Sequence, residues 1–206
     1  MHDKQQIKLG NISTSEAEIR DIIKAWAAIS IAFGILLGGS SLSGGFYIAF
    51  IISSITVGLG FLLHELGHKI VAQKYGCFAE FRSFDMMLVF AIIMSFFGFI
   101  FAAPGAVMIS GPVGVRRNGK ISAAGPLVNI ALALIFLGLF LASGSGFLGL
   151  TAFYGYMINS WLALFNMIPF WNFDGAKILR WSKINYSAVV AVSFALMMAQ
   201  NFIRIK

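Results

Sequence analysis

Gly60-Phe-Leu-Leu-His64-Glu65-Leu-Gly-His68-Lys-Ile-Val71 is the stretch that decides how the rest of the chain is read. It holds the only two histidines outside the N-terminal tail, four residues apart. On a helix, side chains at i and i+4 share one face one turn apart, as two ligands of a single metal ion require. Glu65 is turned by about 100° around the axis, better placed to hold a reacting water than to ligate the metal. Zinc is the natural occupant, because neutral imidazole suits it and three protein ligands leave a fourth position for water. The same pattern arises by chance on soluble helices, so its surroundings decide. Residues 25–63 contain no charged residue, so His64, Glu65 and His68 follow directly on an apolar run of membrane length. Ionisable groups at such depth cost about 2.5–3.5 kcal/mol each on insertion scales, which makes them functional candidates.

Composition agrees. Of the 206 residues, 59% are apolar and 11% charged, with a mean hydropathy of +0.86. Soluble domains carry about 25% charged residues, so this chain reads as an integral membrane protein. The net charge of +7 falls in short clusters between apolar runs, with no basic face and no nucleic-acid motif. No nucleic-acid partner is expected. The single cysteine, Cys77, excludes an internal disulfide and a cysteine-based metal cluster, though not a place as one ligand. The first 24 residues are polar and carry both signs of charge, unlike a cleavable signal peptide.

The pattern along the chain predicts an all-α polytopic membrane protein with about five transmembrane helices. Residues 1–24 form a cytoplasmic polar arm, and 25–206 a single transmembrane domain. In the arm, Ser13 or Ser15 followed by Glu16, Glu18 and Asp21 looks like the capped, acidic start of an interfacial helix. Residues 25–43 are long enough to span, and Gly34-Ile-Leu-Leu-Gly38 is a GxxxG that can seat a neighbouring helix closely. A charge-free loop near 39–45 leads to a second span, about 46–73, with the metal motif in its last third. Residues 121–142 and 147–168 are further spans joined by Ser143-Gly-Ser-Gly146, 166–180 is a broken polar segment, and 184–203 is the last apolar run.

Between the second and third of these helices the chain behaves differently. Residues 86–115 carry no charge, yet Phe96-Phe97-Gly98, Ala103-Pro104-Gly105 and Ser110-Gly111-Pro112 supply repeated breakers amid dense Phe, Met, Ile and Val. That is a weak helix signal and a fair strand signal. The basic residues constrain it further. They cluster in 1–24, 69–82, 116–120 and 177–183, whereas the loops near 39–45 and 143–146 have none. The positive-inside rule puts those four clusters in the cytoplasm, with the N-terminus and the metal end of the site. Arg82 and Arg116 then share a side, so about 84–115 is expected as a re-entrant, partly β element packed against protein. Its turn is expected near 95–98 or 104–105. The last two basic residues, Arg204 and Lys206, fall outside on this topology.

Two histidines alone do not hold a catalytic zinc. After the motif the only acids are Glu80, Asp85 and Asp174. Glu80 and Asp85 lie in the expected cytoplasmic turn. Asp174 ends a run, 121–173, without a charged residue, in Asn166-Met-Ile-Pro169-Phe-Trp-Asn-Phe-Asp174-Gly175. That segment also reads as an ordinary turn at a helix end, but a lone acid there matches an incomplete metal site at the same end of the membrane.

These residues resemble the site-2 proteases, a family of intramembrane zinc metalloproteases, over about 46–180. The matching motifs are His64-Glu65-x-x-His68 and Asn166-x-x-Pro169-x-x-x-x-Asp174-Gly175, with a shorter match at Ala124-Gly125-Pro126-Leu-Val-Asn129. The resemblance implies one zinc ion held by His64, His68 and Asp174, with Glu65 as general base. Asn166, and Asn129 in the shorter match, would bind substrate or stabilise the oxyanion. It also implies a membrane-embedded β element after the metal helix. Two departures stand out: Ala176 replaces the second glycine often found after the aspartate-glycine pair, and no regulatory domain separates the motifs.

The expected activity is peptide-bond hydrolysis within or near the transmembrane segments of protein substrates. A transmembrane helix shields its own peptide bonds, so the substrate must unwind locally, and an exposed edge strand within 86–115 would pair with the extended segment. The expected setting is the cell membrane, multi-pass, with the lipid bilayer as solvent, and a homo-oligomer is compatible with the sequence. A metal transporter needs several polar positions along a path, and this chain offers two membrane histidines and one aspartate. A zinc-binding scaffold without catalysis would leave Glu65 with no role.

Overall fold

The structure, a computed structural model, describes residues 6–9, 12–39, 44–100 and 104–203. They divide between an N-terminal unit, 1–112, and a C-terminal unit, 113–206.

In the N-terminal unit, strands β1 (Gln6–Leu9) and β2 (Ile12–Ser15) pair antiparallel, and helix α1 (Glu16–Gly38) follows at once. Ser15 caps the helix by accepting from the Glu18 N–H, and Glu16 and Glu18 fill an acidic first turn that suits the helix dipole. The cap expected at Ser13 or Ser15 is therefore Ser15, and the helix it opens runs unbroken through residue 25. From Glu16 on, the polar arm and the first apolar run are one helix, because nothing between them breaks the α pattern. Gly34 and Gly38 face helix α2 (Gly44–Ser53): a Cβ on Gly38 would come within 2.8 Å of Ala49 Cβ and Phe46 Cα. The neighbour seated by the GxxxG is thus the next helix of the same chain.

Helix α2 continues through a single π turn, Ser54–Gly58, into helix α3 (Leu59–Lys74). The wider turn presents the Ser54 carbonyl to the Trp26 indole N–H of α1, at 3.1 Å. After α3 come strand β3 (Phe78–Ser83), helix α4 (Asp85–Ser95) and strand β4 (Gly105–Ser110). The two strands pair antiparallel, from Phe78 opposite Ser110 to Ser83 opposite Gly105. Ala25 and Ala28 of α1, Phe81 of β3 and Leu88 of α4 form the buried cluster, with Phe61 and Val107 packed on it.

The uncharged segment 86–115 is therefore part helix and part strand. Helix α4, at 11 residues, reaches about 16 Å at 1.5 Å per residue. A hydrocarbon core is about 30 Å thick, so α4 alone is too short to cross it. A turn at 96–98, with Gly98 at φ +84°, ends the helix. The partner of β4 lies outside the segment, at 78–83, where the sequence suggests only a polar turn. Pairing across that distance leaves no local signal.

The C-terminal unit is a helical hairpin, α5 (Val115–Ser143) and α6 (Gly146–Phe165), followed by α7 (Asp174–Trp181) and α8 (Lys183–Ala199). Ala123 and Ile130 of α5, Ala163 of α6, Ile178 of α7 and Val189 of α8 enclose its core together with Met167. Helix α5 starts earlier than the expected 121, so Arg116, Arg117 and Lys120 lie on its first turns. Helix α7 fills part of the segment expected as broken.

Among the described residues three helical stretches are long and apolar enough to cross a membrane: Glu16–Gly38, Gly44–Lys74 and Val115–Ser143. Five were expected. Helix α6 is diluted by Thr151, Asn159 and Ser160, and α8 is only 17 residues long. The chain is mostly helical and membrane-associated, with a small β component. Residues 40–43 of the expected loop, and Arg204 and Lys206, lie outside the described residues.

Candidate metal centre

Helix α3 sets out the first part of the site. His64 and His68 are both buried on one face, with ring centroids 4.7 Å apart and planes at 87°. The i, i+4 spacing thus sets two imidazoles edge to face as neighbouring potential ligands. Glu65 lies on the adjoining face, and its carboxylate accepts the backbone N–H of Val107 in β4 at 3.1 Å. The strand therefore fixes where the glutamate points.

The residue after the second histidine is also buried. Lys69 is 2% exposed and its ammonium lies 2.6 Å from the carboxylate of Glu18, which is fully buried in α1. Glu18 accepts further from the Phe81 N–H of β3 at 2.8 Å and from the Thr14 hydroxyl at 2.7 Å. One carboxylate thus ties together α1, the metal-motif helix and β3. Four residues further along α3, the Gln73 amide bonds Ser13 and the Ala79 carbonyl. From sequence, Lys69 reads as the first of a cytoplasmic basic group and Glu18 as part of a helix cap. The only hint of their pairing is that both charges flank the uncharged run 25–63, and 51 residues separate them.

The acids weighed against Asp174 are engaged elsewhere in the N-terminal unit. Glu80 accepts from the Ser15 hydroxyl and lies 2.6 Å from Arg82, and Asp85 pairs with Lys24 at 2.7 Å. Cys77 is buried with a free thiol just before β3. The Lys24 ammonium, and then the Ser83 hydroxyl, hold the Asp85 carboxyl below the usual carboxylate range.

In the C-terminal unit Asp174 is the buried first residue of α7. Its position is set by backbone. The Gly175 N–H donates to the Asn166 carbonyl at 2.8 Å, closing the loop that carries Pro169. A Cβ on Gly175 would lie 2.2 Å from the Met167 carbonyl oxygen, so only glycine lets α7 start there. The spacing from Asn166 to Asp174-Gly175 thus encodes a loop that delivers a carboxylate at a helix start. Lys177, one turn on, lies 3.7 Å from Asp174. The Asn166 side chain donates to the Leu162 carbonyl at 2.9 Å. Asn129 is fully buried and donates to Asn159 at 3.0 Å, bridging α5 and α6.

The donor set suits zinc: two buried imidazoles and one buried carboxylate, each offering one ligand atom.

No protein-family model matches the chain. No solved structure matches it either. Among curated proteins it is 41% identical over 178 residues to a Methanocaldococcus jannaschii protein named "Putative zinc metalloprotease MJ0611", covering 85% of this chain and 90% of that one. It is also 29% identical over 120 residues to "Zinc metalloprotease MJ0392" of the same organism, covering 58% of this chain and 30% of the other. With 90% of the first relative spanned at 41% identity, and with histidines and an aspartate suited to zinc on buried positions, the chain belongs to the zinc metalloprotease family of MJ0611.

Proposed function

We propose that this protein is an intramembrane protease of the site-2 type, hydrolysing peptide bonds within or near the transmembrane segments of protein substrates. One zinc ion is held by His64, His68 and Asp174. Bound zinc lowers the pKa of water toward 7 and polarises a carbonyl. The chain's own groups do the rest. Glu65 takes the proton from the attacking water and returns it to the leaving amine. The Val107 N–H orients the Glu65 carboxylate, and Asn166 and Asn129 are assigned to substrate binding or oxyanion stabilisation. The substrate unwinds and adds as a strand to the β3–β4 ribbon. The segment about 84–115 is re-entrant, and the N-terminus and the metal end of the site face the cytoplasm of a multi-pass cell-membrane protein.

One observation carries the reading: His64, Glu65 and His68 lie within a single helical stretch of 31 residues, Gly44–Lys74, long and apolar enough to span a bilayer. The test separates catalysis from binding. Glu65→Gln is expected to keep bound zinc, measured by atomic absorption, and to lose cleavage of a membrane-spanning substrate, because an amide cannot accept the proton. A Glu65→Gln protein that cleaves at the normal rate overturns the assignment.

A further inference from the structure

The β3–β4 ribbon has two outer edges, and both are held by carboxylates. Phe81 and Val107 face each other across the ribbon. The Phe81 N–H goes to Glu18 and the Val107 N–H to Glu65, so each points away from the other strand. This is a non-hydrogen-bonded pair, whose N–H and C=O groups belong to the outer edges. On β3 that edge is closed at several points. Glu18 takes the Phe81 N–H, Asp21 takes the Ser83 N–H at 3.4 Å, and Gln73 donates to the Ala79 carbonyl. Glu18 is itself locked in a buried ion pair with Lys69. On β4 the Val107 N–H donates to Glu65, a half-buried side chain. Met108 and Ile109 beside it are exposed.

We propose that the substrate strand adds to β4, and that it does so by taking the Val107 N–H from Glu65. The incoming segment's carbonyl replaces the carboxylate as acceptor, and Glu65 turns from the strand toward the reacting water. Strand addition and readiness of the general base are one exchange, so the base is held on backbone until an extended peptide arrives. The inference rests on the strand-addition reading above and names the edge, the atom and the consequence. An extended peptide is the occupant that fits, because the displaced bond is to a strand N–H and the partner of choice is a peptide carbonyl. The β3 edge offers no comparable exchange.

The zinc-loaded full chain in detergent micelles serves for the test. The probe is a blocked, uncharged peptide of alternating valine and threonine with one fluorophore, read by fluorescence anisotropy. Glu65→Gln and Glu65→Ala are compared, since neither is expected to cleave the probe. Glutamine keeps a carbonyl that can hold the Val107 N–H, and alanine has none. The alanine variant is expected to bind the peptide at least tenfold more tightly than the glutamine variant. Adding Val107→Pro to Glu65→Ala removes the donor without touching the bonds to β3, and should return affinity to the glutamine level. Equal affinity of the Gln and Ala variants, including no binding by either, overturns the proposal. So does a gain that survives Val107→Pro. Loss of cleavage in Glu65→Gln would still stand in those cases, so the exchange and the general-base role fail separately.

Discussion

Glu18 and Glu65 perform the same chemical act on the two sides of one ribbon, yet their surroundings differ. Each accepts a backbone N–H from an outward-facing strand position, at 2.8 Å and 3.1 Å. Glu18 is fully buried, paired with Lys69, and shares its edge with Asp21 and Gln73. Glu65 is half-buried and meets β4 at Val107. A carboxylate buried with its counter-ion is a fixed part of the fold, because removing either partner strands a charge. A half-buried carboxylate that accepts from a strand N–H without a buried counter-ion of the Glu18–Lys69 kind can exchange that role. The fold has thus used one kind of contact for permanence on β3 and for chemistry on β4.

The largest effect should come from breaking the permanent side. Glu18→Ala leaves the Lys69 ammonium and the Phe81 N–H without their carboxylate, at an expected cost of about 3–5 kcal/mol in stability. Glu65→Ala should cost less, about 1–2 kcal/mol, because the Val107 N–H that loses this acceptor lies beside the exposed Met108 and Ile109. Thermal unfolding of the two variants in the same micelles reads the difference directly. Similar losses for both would erase the distinction between the edges.

Gln73→Ala tests the β3 edge at an intermediate level. The amide bonds the Ser13 backbone and the Ala79 carbonyl, so its loss loosens the β2 end of the hairpin and the start of β3 together. About 1–3 kcal/mol is expected, since partly buried backbone groups lose their partners. Hydrogen exchange at Ser13 should rise in step, while the Val107 amide stays as it was. Faster exchange at Val107 in this variant would show that the two edges are coupled.

Local motifs explain what the sequence revealed, and distance explains what it hid. His64, Glu65 and His68 were legible because a helix converts spacing into facing direction within one turn. Asp174-Gly175 stood out for a different reason, as the lone acid ending the uncharged run 121–173, and the structure adds why a glycine follows it: a Cβ there would lie 2.2 Å from the Met167 carbonyl oxygen. The GxxxG at Gly34 and Gly38 showed that some helix would pack there, and the chain supplied its own α2. By contrast, Phe78–Ser83 reads as a strand only once β4 is beside it. The Glu18–Lys69 pair joins residues on either side of an uncharged run of membrane length, and a linear reading sorts the first into a helix cap and the second into a cytoplasmic basic group. Helix α7 was hidden by Pro169 and Asn172 just before it, which mark a break without showing that a helix starts at Asp174.

The smallest expected effect sharpens the comparison from outside. Asp85 sits beyond the end of β3, exposed, and pairs with Lys24 and the Ser83 hydroxyl. On paper this resembles the Glu18–Lys69 pair: an acid and a lysine joining α1 to a neighbouring element. The physical setting is the reverse, since water screens both groups and two long side chains must be ordered to meet. The Lys24 ammonium depresses the Asp85 pKa below its ordinary 3.8, so whatever the pair contributes is present above that range and fades as pH falls through the lowered value. At neutral pH the contribution is at its full, small size. Asp85→Asn should therefore leave thermal unfolding at pH 7 unchanged within error, and any residual difference between the variant and the parent should vanish as pH falls through the lowered value. A marked loss of stability at pH 7 would mean that exposure is a poor guide to permanence in this fold, and that the contrast between Glu18 and Glu65 must rest on something other than burial.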